Sequence, residues 1–167
     1  MPIGTLLAEH RRIMANVESL ETLVAGARPD MPDMLFRDRW AFTRDLLLHF
    51  SKDETLVLRP LMGDRRPHVA ALAKQSAAQL AALYEAFQLH TKRWQGFPAE
   101  ADWPEYSRAV RHLLARLRAR IAAEEAGLYH FLPAQRDGSA DRAPPTDYAA
   151  TAWRIRDGLY PGNQKNG

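Results

Sequence analysis

An apolar rhythm of about 3.6 residues governs most of this chain, and proline and glycine punctuate it. The first stretch runs from about Ile3 to Ala25. It carries Ile3, Leu6, Leu7, Ile13, Met14, Val17, Leu20 and Val24 on one face and stops at Gly26-Ala27-Arg28-Pro29. The second runs from about Met34 to Met62, with Asp33 in position to cap it. Its inner face reads Phe42, Leu46, His49, Phe50, Asp53, Leu56 and Val57; Pro60 bends or ends it, and Gly63-Asp64 turns the chain. The third starts at Pro67, a good first-turn residue, and continues to about Trp94 through Leu72, Ser76, Gln79, Leu83, Phe87 and His90. The fourth runs from about Pro104 to Leu132, with Tyr106, Val110, Leu113, Leu114, Leu117, Arg120, Ile121, Glu124, Leu128 and Phe131 inward.

Strand alternation is absent. Four long amphipathic helices with short connections predict an all-α, up-down-up-down four-helix bundle over residues 1–133. Beyond Pro133 the composition shifts to Gly, Ser, Asp and a proline pair, which predicts a loop over 134–145. A short helix from about Asp147 to Leu159 should follow, offering Tyr148, Trp153 and Ile155 to the bundle. Pro161 to Gly167 should fray.

Charge and composition narrow the function. The net charge is +3, with arginines scattered over helical positions, so a solvated face explains them and no nucleic-acid partner is expected. No window approaches ~18 uninterrupted apolar residues. No basic segment leads into a long apolar one, so a cytoplasmic location without a membrane partner is expected. With no cysteine, any metal must be held by His, Asp, Glu or water, a donor set suited to iron, manganese or zinc.

Polar groups interrupt the inner stripes at His10, His49, Asp53, Arg120 and Glu124. A buried carboxylate costs several kcal/mol unless it is paired or bound to a metal, so something should gather them. At 1.5 Å rise per residue, His10 lies roughly 10 Å above the start of a ~33 Å rod, and His49 lands at roughly 11 Å on the descending second helix. Arg120 and Glu124 come down to roughly 10 and 5 Å. The five residues thus fall within about two turns of one level. His49 and Asp53 share a face at i and i+4, as do Arg120 and Glu124. At that level the third helix offers Gln75, Ser76 and Gln79 and no histidine. His90 comes out near the opposite end beside Trp94, and His68 and His130 fall together near the bottom as a secondary candidate.

Three motifs give this chain its resemblance to the hemerythrin-like (HHE cation-binding) family, over about residues 5–132. They are Leu6-Leu-Ala-Glu-His10-Arg-Arg-Ile13, then His49-Phe50-x-x-Asp53-Glu54 followed by Leu58-Arg-Pro60, then Arg120-Ile121-x-x-Glu124-Glu125-x-x-Leu128-Tyr129. The resemblance implies a non-haem iron centre, mononuclear or dinuclear, held by His10, His49, Asp53 and Glu124 or Glu125, with Glu54 as the alternative to Asp53. It also implies binding of a small gas, redox sensing or iron handling; no Ser/His/Asp order, phosphate loop or nucleotide fingerprint is present, so no enzymatic activity is expected. Two departures stand out: Arg120 occupies the place of a fourth-helix histidine, and the third helix supplies none. Arginine cannot ligate a metal. The competing expectation is therefore a metal-free structural or regulatory bundle, in which Arg120, the carboxylates and the histidines form one buried network.

Overall fold

The computed structural model describes residues 3–133 and 146–159. The expected loop over 134–145 and the tail from Pro161 lie outside them. Among the described residues every regular element is helical, with no strand. The α-helices are α1 (Ile3–Ala25), α2 (Asp33–Lys52), α3 (Arg59–Met62), α4 (Pro67–Arg93), α5 (Trp103–Ala126) and α6 (Tyr148–Leu159). The four long helices form the expected bundle: α1 packs on α2 and α5, and α4 packs on α5.

The second predicted helix is one rod in three parts. Between α2 and α3 the chain widens into a π-helical stretch, Asp53–Leu58. Pro60 lies just beyond, in the first turn of α3. It has no N–H for the carbonyl four residues back, and its ring would crowd that carbonyl. The wider turns admit the ring without ending the rod, so Pro60 neither stops the helix nor opens a loop. Asp33 is the first residue of α2, with Pro32 before it and no side-chain cap. It therefore acts through the helix dipole and not as the N-cap expected. The fourth helix ends as α-helix at Ala126, and a 3-10 turn, Leu128–Phe131, completes it.

The core runs the length of the bundle, with Ile13, Val17, Leu35, Phe50, Val57, Leu58, Val69, Ala73, Tyr106, Leu114 and Leu117 all but sealed from solvent. On α4 the buried line is Val69, Ala73, Ser76, Leu80, Leu83 and Phe87. The expected stripe through Leu72 and Gln79 is therefore offset: Leu72, Gln75 and Gln79 are exposed.

Helix α6 lies against α2 and α4. Tyr148 packs edge-on against Phe50 and Tyr84, and Tyr84 Oη and Thr151 Oγ1 are 2.5 Å apart. Gly96 N donates to Gly158 O at 2.9 Å. Tyr148 and Ile155 are buried as expected, whereas Trp153 stays 57% exposed beside Trp40. Among the described residues, no helix is long and apolar enough to cross a membrane.

Candidate metal centre

His10 comes from α1, His49 from the last turn of α2, Asp53 from the π-helical stretch, and Arg120 and Glu124 from the end of α5. All five are buried. His10 Nε2 lies 3.0 Å from His49 Nε2 and 3.2 Å from Glu124 Oε2. His49 Nε2 lies 3.6 Å from that same oxygen and 3.8 Å from Asp53 Oδ2. Ligand atoms of His10, His49 and Glu124 sit within 4.8 Å of one another. No other group of three or more potential ligands appears among the described residues. Asp53, Glu54, Glu125, His68 and His130 are outside it.

The outer nitrogens explain why the inner ones converge. His10 Nδ1 faces Glu125 Oε1 at 2.7 Å, and His49 Nδ1 faces Glu9 Oε2 at 3.4 Å. A carboxylate on Nδ1 keeps the proton there and leaves Nε2 as a lone pair. Two such lone pairs and a carboxylate oxygen would face a cation together; without one, imidazole protons must supply the positive charge between them. Neither oxygen of Glu124 receives a well-aligned hydrogen bond, although both are buried. These donors fit a cation: imidazole nitrogens and a carboxylate, each oriented from behind.

Charge around the pocket points the same way. Glu9, Asp53, Glu124 and Glu125 face three permanent cations: Arg120, Lys52 and, 3.9 Å from Glu9, the largely exposed Arg12. The acids outnumber these cations by one, so the pocket favours further positive charge, from a bound cation or from an imidazolium. In the cation-free chain, burial pushes His49 down, but the nearby Glu124 and Glu9 carboxylates outweigh it and hold it at about 9. Burial pushes Glu9 up, yet His49 and Lys52 bring it down to about 2. Burial and the Glu124 charge raise Asp53 to about 8. Glu124 is held low despite its burial, by His10, His49 and Arg120.

Arg120 sits between the two acids. Its Nη2 lies 3.0 Å from Asp53 Oδ2 and 2.5 Å from Glu124 Oε1, and its Nη1 donates to Ser76 O at 3.0 Å and Oγ at 3.3 Å. Of the three third-helix residues expected at this level, only Ser76 reaches the site. Asp53, expected among the ligands, is committed to Arg120. Glu125 backs His10 on its outer side. Glu54 accepts from Thr146 Oγ1 at 3.4 Å, turned toward the start of α6 and not into the pocket.

Two participants escaped the sequence reading. Glu9 was overlooked beside His10, although it lies three residues after Leu6 and four before Ile13, on the same buried line. Tyr129 stacks on the His10 ring, with its hydroxyl 3.1 Å from Nε2. Its placement depends on the 3-10 turn after α5, which helical periodicity does not register. Burial and the charges of Asp53, Glu124 and Glu125 raise its pKa and keep it a neutral phenol.

The other histidines have separate surroundings. His90 stacks on Tyr106 with ring centroids 5.9 Å apart, near Trp94, at the far end as expected. His68 meets Phe131 edge-on, and both His68 and His130 are exposed.

A helical bundle whose core gathers imidazoles and carboxylates from several helices has the layout in which bundles hold cations. The Hemerythrin HHE cation binding domain matches residues 1–132, and the chain belongs to that family. No curated protein and no solved structure matches it.

Proposed function

We propose that the chain is a non-haem iron protein that senses oxygen, nitric oxide or redox state, or handles iron, and is not an enzyme. His10 and His49 through Nε2, and Glu124 through Oε2, are the ligands. The observation that carries this reading is the convergence of those three lone-pair atoms at 3.0, 3.2 and 3.6 Å, with a carboxylate behind each histidine. Two histidines and one carboxylate form a recognised set for iron(II) with open positions. Iron held there would supply reversible binding of a small ligand and one-electron redox chemistry. His10, His49 and Glu124 are each at most 2% exposed, so a further ligand must be a molecule of few atoms. Tyr129 Oη stands beside His10 Nε2 as a neutral donor for it.

Iron content of protein purified from iron-replete cells tests the proposal. Stoichiometric iron, lost in His49→Ala, is expected. Less than about 0.2 equivalents, unchanged by that substitution, ends it. The ion pairs of Arg120 favour a second reading, a bundle that works without metal through this buried network. It predicts that neither iron nor a chelator alters the protein's stability.

A further inference from the structure

We infer that Arg120 is a resident cation filling the second of two adjoining seats, so that the centre accepts one divalent ion and excludes a second. The inference rests on the cation-binding reading above and adds the number of ions.

The two oxygens of Glu124 face different positive positions. Oε2 turns to the facing imidazole nitrogens, and Oε1 turns to the guanidinium at 2.5 Å. Asp53 Oδ2 closes the second position at 3.0 Å. A carboxylate shared by two charge sites, with a further acid on one of them, is the layout of a bridged pair of cations. Here one member is a side chain. Its seat is built for it: Ser76 contributes a backbone carbonyl and a hydroxyl to Nη1, and the serine is small enough for the guanidinium to lie across α4. Arginine stays protonated at any accessible pH, so this charge cannot be withdrawn to make room. A metal ion entering the seat would meet a fixed positive charge in a low-dielectric interior, where repulsion between like charges is large. Asp53 is thereby spent on Arg120, and the nearby His49 Nε2, at 3.8 Å, is left to the first seat.

Titration of the chelator-stripped full chain with Co2+ under anaerobic conditions tests this, with stoichiometry read by calorimetry and by the cobalt visible bands. The wild type should take one equivalent and His49→Ala none. Arg120→His, which replaces the guanidinium by a ligand, should take two, and so should the neutral Arg120→Gln, its second more weakly. Arg120→Lys, which keeps the charge, should take one. Circular dichroism establishes which variants fold. If Arg120→His does not, the contrast between Arg120→Gln and Arg120→Lys decides. Two equivalents in the wild type, or one in every folded Arg120 variant, overturn the inference while leaving the cation-binding reading intact. A wild type that takes none overturns both.

Discussion

In the proposed centre, two carboxylates orient the histidines from behind. Glu9 holds His49, and Lys52 in turn holds Glu9. Glu125 holds His10 from a position that is 43% exposed. Partners behind metal-bound histidines typically account for about 10–100-fold in affinity. Glu9→Gln should therefore weaken Co2+ binding by about that factor, with helicity unchanged on circular dichroism; an unchanged Kd would show that Glu9 does not orient His49. Arg120→Ala is the harsher change. It takes the guanidinium from between the buried Asp53 and Glu124, leaving the His49 imidazolium as their one remaining close positive partner, and should cost about 3–5 kcal/mol in urea unfolding of the metal-free chain. The common level of His10, His49, Asp53, Arg120 and Glu124 was legible in the sequence because helical rise is nearly invariant. Which acid would face the ligand cluster was not. Asp53 and Glu124 both point inward, and only the position of the guanidinium assigns one to Arg120 and leaves the other to the histidines.

The elements were legible to different degrees. Pro67 and the glycine and proline stops placed α1 and α4 well, because these residues act on the backbone directly. The inner line of α4 was less legible. Its Ala-rich sequence offers several faces of similar apolarity, and the packed one runs through the small residues Ala73 and Ser76. That choice follows from Arg120 reaching across from α5, a tertiary fact. Ser76→Leu should therefore be poorly tolerated. It adds bulk where the guanidinium lies and removes a hydroxyl from its shell, and overpacking of this kind typically costs 1–3 kcal/mol. A thermal midpoint equal to that of the wild type would place Arg120 elsewhere. The π-helical stretch was also hidden, since a single Pro60 is compatible with a kink, a stop or a wider turn.

For the whole molecule, a bound cation ties α1, α2 and α5 together and should stabilise the fold by mass action. At a hundredfold excess over Kd the gain is about 2.7 kcal/mol. For a chain of this size that corresponds to a rise of about 5–11 °C in Tm. A rise that His49→Ala abolishes is expected, and a flat melting temperature favours the metal-free network. The opposite end of the bundle has its own pH response. Burial and the charge of Arg39 hold His90 at about 4, below its ordinary 6.5. The unfolded imidazole takes up its proton first, so stability should fall as pH drops from about 6.5 to about 4. The slope from this group approaches ~1.4 kcal/mol per pH unit. In His90→Leu the slope over that range should shrink; an unchanged one would assign the acid sensitivity to the carboxylates.

The separation of the ligands along the chain bears on when the centre comes into being. His10 and His49 are 39 residues apart, while His10 and Glu125 are 115 apart. Synthesis runs from the N-terminus, so both imidazoles are made long before their shared acid, Glu124. On the proposed reading, ion capture would then have to await synthesis of nearly all of α5. A nascent chain halted inside α5 before Glu124 carries both histidines but not the third member of the candidate ligand group.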